Sequence, residues 1–149
     1  MASKRLVAQI HKKDKSTDKW ETPKDFYEEL NSEFNFDFDP CPIDWTPTTH
    51  PDGLSIPWGN STIVNPPYSQ TKKWIEKASN ESKLGKQVVM LINACVDTIA
   101  FHKYIYNQPH VEVRFIKGRI RFTSPLRPEC KLPNMKPSML VIFCGTIAF

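Results

Sequence analysis

The sequence predicts an α/β domain, a sheet of largely parallel strands with helices on both faces. Three observations lead there. From Thr62 onward, short β-prone runs and helical patterns alternate in the order strand, helix, strand, helix, strand. The connections are of crossover length, as parallel pairing requires. One run, Gln87 to Ile92, is apolar almost throughout, in the manner of strands buried on both faces. With 149 residues, 40% of them apolar, the chain has the length of one domain and can build one packed core.

Met1 to Lys19 is polar and lysine-rich without sustained periodicity, so residues 1–19 are expected to be a flexible basic arm and 20–149 the folded domain. Thr22 offers an N-cap hydroxyl and Pro23 suits the first helical position. Phe26, Leu30 and Phe34 then recur every four residues, which predicts a helix from Pro23 to about Glu33. Phe36 to Asp39 alternates like a short strand, and Pro40 to Pro57, with five prolines, reads as loop. Thr62 to Val64 is the next strand. Ser69 can cap a helix carrying Trp74, Ile75 and Ala78 on one face and closing at Leu84-Gly85. After Gln87 to Ile92, Asp97 can cap a helix with Phe101 and Ile105 inward, stopped by Pro109. Val111, Val113 and Phe115 alternate with Glu112 and Arg114 as a half-buried strand. Ile120 to Phe122 and Met139 to Cys144 are expected to add edge or hairpin strands.

Composition excludes several classes of function. The five glycines, at 53, 59, 85, 118 and 145, are too dispersed for a P-loop or a GxGxxG fingerprint. The cysteines, at 41, 95, 130 and 144, form no CxxC pair, and the four histidines are equally scattered, so no metal site is expected. No apolar run approaches a membrane span and the first ten residues lack a signal-peptide core, so a soluble, cytoplasmic protein is expected. The net charge of +4 resolves into +4 over residues 1–24, −6 over 25–113 and +6 over 114–136. Two basic ends around an acidic middle can run along a polyanion, although a solvated lysine tail is the plainer reading of charge alone.

In sheets of this kind ligands bind beyond the carboxyl ends of the strands. Three polar clusters fall there: Asp39-Pro40-Cys41, Asn65-Pro66-Pro67-Tyr68, and Asn93 to Asp97. The second is the most specific. By typical composition it arises by chance in about one such chain in a thousand or fewer. Two consecutive prolines hold the backbone stiff and extended, which leaves the Pro66 carbonyl free to stand beside the Asn65 side-chain oxygen. Two fixed acceptors and the Tyr68 ring suit a planar group bearing an exocyclic NH2. The amino nitrogen of adenine is a weak nucleophile because its lone pair is delocalised. Accepting both of its N–H bonds favours a pyramidal nitrogen able to attack a methyl sulfonium in line, by positioning and preorganised dipoles alone.

With these residues in view, the chain resembles the phage and prophage DNA N6-adenine methyltransferases, which use S-adenosylmethionine. The resemblance runs from Trp20 to Phe143. It rests on Trp20-Glu21-Thr22-Pro23, Phe36 to Cys41, Asp52-Gly53-Leu54 with Trp58, and Asn65 to Ser69. It continues through Trp74 to Ala78, Asp97-Thr98 with Phe101-His102, and Phe115 to Phe122, in matching order. It implies an abbreviated Rossmann-like methyltransferase sheet, with Asn65, Pro66, Pro67 and Tyr68 as the catalytic loop. Thr22 and Pro23 would border the cofactor, and Asp39, with Pro40 and Cys41, would receive its ammonium. Asp52, Gly53 and Leu54 would lie near its adenosine. Ordinary loop capping is the alternative role for both aspartates.

The expected partner is double-stranded DNA, with the target adenine flipped into the pocket and the backbone held by Arg114, Lys117, Arg119, Arg121, Arg127 and Lys131. Compared with larger methyltransferases, Asp39-Pro40-Cys41-Pro42 replaces a glycine-rich turn, and Ile43 to Pro51 is too short for an intervening helix and strand. The same loop also suits cytosine N4, guanine N2 of rRNA or a protein glutamine amide. A non-catalytic nucleic-acid-binding relative is the alternative from another class.

Overall fold

The structure, a computed structural model, describes residues 18, 20–124, 127–133 and 136–145, with the description of 124 and 127–133 confined to the backbone. Of the expected arm only Asp18 is among them, and the side chains of Arg127 and Lys131 lie outside the described residues. Helices α1 (Lys24–Phe34) and α2 (Thr71–Ser82) accompany strands β1 (Ser61–Val64), β2 (Gln87–Asn93), β3 (Val111–Phe115), β4 (Arg121–Ser124), β5 (Arg127–Pro133) and β6 (Ser138–Phe143).

The main sheet has the order β1-β2-β6-β3. β1 and β2 are parallel, with Ser61 opposite Gln87 and Val64 opposite Met90. β6 is antiparallel to both β2 and β3, so β1, β2 and β3 point the same way, as their connections predict. The sheet is nevertheless mixed, and the expectation that Met139 to Cys144 forms an edge or hairpin strand is corrected. β6 sits in the interior of the sheet and is buried at every position. A run without a polar alternate needs cover on both faces and both flanks, which an edge cannot give. β4 and β5 form a separate two-stranded hairpin.

The expected Phe36 to Asp39 strand contracts to one parallel bridge between Phe38 and Thr62. The Asp37 carboxylate accepts from the amides of Asn60 (3.2 Å) and Ser61 (3.0 Å), and Pro40 has no N–H with which to continue a ladder. The helix expected between Asp97 and Pro109 is shorter, α-helical at residues 99–100 and continuing as a π-helical turn, Phe101–Ile105. Thr98 rather than Asp97 meets its first amide, accepting from Phe101 N at 3.2 Å.

Helices do cover both faces. On one face Val88, Met90 and Ile92 of β2 and Met139, Val141 and Phe143 of β6 pack against Trp74, Ile75 and Ala78 of α2, with Phe101 and Ile105. On the other, Val89, Leu91, Leu140 and Ile142 meet Leu30 of α1, joined by Ile120 and Phe122. The strict alternation along β2 and β6 is the two-residue strand period written into two cores.

Glu81 of α2 is buried and receives Lys77 (2.8 Å), Lys86 (2.8 Å) and the Trp58 amide (3.3 Å). Burial alone would raise its pKa. The two ammonium groups and the amide outweigh that and hold the carboxyl below its usual range. Glu81→Gln is expected to cost about 1–3 kcal/mol at pH 7, read from urea unfolding. Because the folded pKa is the lower one, the contribution is complete above the ordinary glutamate value of about 4.3 and is lost as pH falls through the folded pKa. The difference between wild type and variant should therefore shrink in acid.

Candidate active site

β1 ends at Val64, and the chain leaves the sheet through Asn65, Pro66 and Pro67 into a 3-10 turn, Tyr68–Gln70, that leads directly into α2. Pro67 is extended (φ −56°, ψ 133°), so the loop is held open where a helix would otherwise begin. The Asn65 side chain donates through Nδ2 to the Trp20 carbonyl (2.7 Å) and to the Thr22 hydroxyl (3.1 Å). A carbonyl can only accept, so the NH2 end of the amide must face Trp20, and Oδ1 is the end that remains. Among the described residues no donor reaches Asn65 Oδ1 or the Pro66 carbonyl. Two acceptors one residue apart are thus left over at a strand end.

Asn65 lines a cavity of about 340 Å³ together with Trp20, Thr22, Tyr27, Asp39, Cys41 and Asp44. A second cavity, about 460 Å³, is walled by Pro40, Cys41, Asp52, Gly53, Leu54, Pro67 and Trp74. Cys41 lines both, and its thiol donates to the Asn65 carbonyl at 3.4 Å. A third, about 690 Å³, is bordered by Thr22, Pro23, Phe26, Ile120, Arg121 and Thr123. Each of the eight residues expected around the cofactor lines at least one of these cavities, while Pro66 and Tyr68 line none of the three.

Thr22 does not cap α1. Pro23 holds the N-cap position without a side-chain bond, and the Thr22 hydroxyl serves Asn65 instead. The Asp52 carboxylate accepts from Leu54 N (3.0 Å) and Ser55 Oγ (2.9 Å), and that of Asp39 from Cys41 N (3.0 Å). Both aspartates cap local turns, yet a carboxylate has about four acceptor positions and can serve a ligand as well. Burial pushes the Tyr68 phenol up to about 12, so at neutral pH it presents a neutral ring.

Nothing in the sequence pattern marks out Asp18. Its carboxylate accepts from Ser69 N (2.8 Å) and Ser69 Oγ (2.7 Å), and its carbonyl accepts from Tyr68 N (3.2 Å). Ser69 therefore answers Asp18 rather than capping α2. Three residues on, Glu21 pairs with Thr123 of β4 as an antiparallel bridge. The segment around Asp18 and Trp20 to Thr22 straps the Asn65 loop from one side and touches the β4–β5 hairpin on the other. Tyr27 and Asp44 also join the 340 Å³ cavity without standing out in the sequence.

Of the expected phosphate-binding residues, Lys117, Arg119 and Arg121 are exposed. Arg114 is engaged within the fold: it meets both oxygens of Glu33 at 2.7 Å and Glu112 at 3.0 Å, locking β3 to α1. Hydrogen bonding to Glu33 and then Glu112 holds its pKa above the usual range. His102 Nε2 bonds the Val96 carbonyl at 2.8 Å, and none of residues 93–97 lines the three cavities. The described residues hold no cluster of three metal-ligating side chains, and none of their helices is long and apolar enough to cross a membrane.

The fold and the loop define an α/β protein with a polar site beyond the carboxyl end of a strand. Comparison with known proteins supplies the family. The family model described as DNA N-6-adenine-methyltransferase (Dam) matches residues 9–147, and the chain belongs to this family of DNA-modifying enzymes. The DNA N-6-adenine-methyltransferase of Haemophilus phage HP1 (strain HP1c1) is 30% identical over 148 residues, which cover 93% of this chain and 85% of the relative. No solved structure matches the chain.

Proposed function

We propose that this chain transfers a methyl group from S-adenosylmethionine to N6 of an adenine flipped out of duplex DNA, and that Asn65 and Pro66 receive the two amino hydrogens. The observation that carries the reading is the fixed sense of the Asn65 amide. With Nδ2 tethered to Trp20 and Thr22, Oδ1 is the end of the amide left to accept, one residue ahead of the Pro66 carbonyl in the chain. Tyr68 supplies a neutral ring for stacking, which helps offset the few kcal/mol, in rough terms, of extruding a base.

The donor set suits the cofactor. Asp39 and Asp44 stand with Trp20 and Tyr27 on one cavity, carboxylates and π faces fitted to an ammonium and a sulfonium. Asp52, Gly53 and Leu54 stand on the adjoining cavity across Cys41, where sugar hydroxyls would find acceptors. When bound, the cofactor would supply an electrophilic methyl group, leaving as a neutral thioether once adenine N6 takes the carbon, and the methylated amine would give up its extra proton to bulk solvent as the site reopens. The chain's part is to orient the amine, exclude water from its face and hold both N–H bonds. We read the sheet as an abbreviated Rossmann-like one, with three strands running the same way toward the site.

Incubation with methyl-labelled cofactor and separate DNA, RNA and protein acceptors tests the reading. Label in N6-methyladenine of DNA is expected, whereas label in cytosine, RNA or glutamine contradicts it. Calorimetry should show saturable cofactor binding, and no binding would favour a non-catalytic DNA-binding relative.

Charge reversal at Arg119 and Arg121 should weaken DNA binding and flatten the slope of log K against log salt by about 0.9 for each phosphate no longer neutralised; an unchanged slope would remove these residues from the DNA face. Asp18→Ala should lower kcat by about tenfold through misplacement of the loop, with little change in KM for the cofactor. Asp18→Asn, which keeps an acceptor oxygen, should recover part of the loss, whereas equal losses in both variants would reduce Asp18 to a structural role.

A further inference from the structure

β1 and β2 are parallel, and β2 and β3 are each antiparallel to β6, so β1 and β3 end on the same edge of the sheet. Val64 closes β1 ahead of Asn65, and Phe115 closes β3 three strand positions away. At about 4.8 Å per strand, Phe115 stands on the order of 14 Å across that edge from the Asn65 loop. That span is comparable with the roughly 12 Å width of a DNA major groove.

Phe115 is 71% exposed, although Val111 and Val113 on the same strand face pack against the core. A large aromatic ring at a strand end meets water at a standing cost. The turn beyond it is cationic: Lys117, Gly118 and Arg119 are all exposed, and Gly118 bends the chain with φ 78° and nothing within 4 Å of where a Cβ would stand. Lys136, just ahead of β6 on the same edge, is also exposed. An apolar ring set among cations fits a polyanion with an apolar interior, which is a stacked duplex.

We propose that Phe115 is a wedge that enters the base stack of bound DNA and props open the step from which the target adenine leaves. Lys117 and Arg119 hold the phosphates on either side of it. Apolar side chains inserted in this way unstack a base step and unwind the duplex locally. The inference rests on the base-flipping reading above and adds to it the residue that makes room in the stack.

The test is relaxation of a closed-circular plasmid by a topoisomerase in the presence of the protein, with the protein then stripped away. Wild type and Asn65→Ala should both leave the plasmid negatively supercoiled, and Phe115→Ala should leave it relaxed. In parallel, Phe115→Ala should lose about tenfold in methylation of native genomic DNA and less than about twofold on the same DNA after heat denaturation, where no stack must be opened. A topoisomer shift kept by Phe115→Ala, or equal losses on native and denatured DNA, would overturn the proposal. The shift needs no methyl transfer. A protein that unwinds DNA through Phe115 but methylates no adenine would contradict the proposed function and leave the wedge standing.

Discussion

Asn65→Ala is expected to lower kcat by about 100- to 1,000-fold, the scale on which a preorganised polar group at a reacting centre acts, without a comparable loss of stability. The side chain stands at a strand end, and the two bonds it makes within the protein, to Trp20 and Thr22, are each worth only about 1 kcal/mol. Asn65→Asp separates the two jobs of the amide. It keeps acceptor oxygens but turns one of them against the Trp20 carbonyl, which can donate nothing, so its rate should fall between wild type and alanine. Steady-state methylation with thermal unfolding in parallel reads both variants. An alanine variant with near-normal turnover would remove Asn65 from the chemistry.

Gly53→Ala should be the most damaging small change around the 460 Å³ cavity proposed to take the cofactor. A Cβ there would collide with the Pro40 carbonyl oxygen and stand 2.8 Å from Trp74 Cη2 and 2.9 Å from Pro40 Cβ. The Gly53 carbonyl also accepts from the buried Trp58 Nε1 at 2.7 Å, so the backbone cannot retreat without breaking that bond. Overpacking of this kind costs about 1–3 kcal/mol. It should also displace the wall that Pro40, Gly53 and Trp74 share on the 460 Å³ cavity. A lowered Tm and weaker S-adenosylmethionine binding are expected together. A variant with unchanged Tm would mean that the wall yields freely.

What the sequence disclosed was local. The four-residue recurrence of Phe26, Leu30 and Phe34 and the alternation of Val111, Val113 and Phe115 report single elements, and α1 and β3 match them closely. The place of β6 between β2 and β3 is a tertiary choice that no window of residues encodes, and the expectation of an edge or hairpin strand missed it. Thr22 and Ser69 are good N-cap residues, but each hydroxyl found a distant partner: Asn65 lies 43 positions from Thr22, and Asp18 lies 51 positions from Ser69. Local capping rules cannot anticipate such competition. The residues expected around the cofactor came as a set from the family resemblance rather than from any local pattern. Their division among three cavities, two of which meet at Cys41 and two at Thr22, became visible only once the chain was folded.

The most direct measurement is a nucleoside digest, read by mass spectrometry, of DNA from an unmethylated host expressing either the wild-type chain or Asn65→Ala. N6-methyldeoxyadenosine is expected with wild type and none above background with the variant. Modification at cytosine instead, or equal adenine methylation from both chains, would contradict the role proposed for the Asn65 loop.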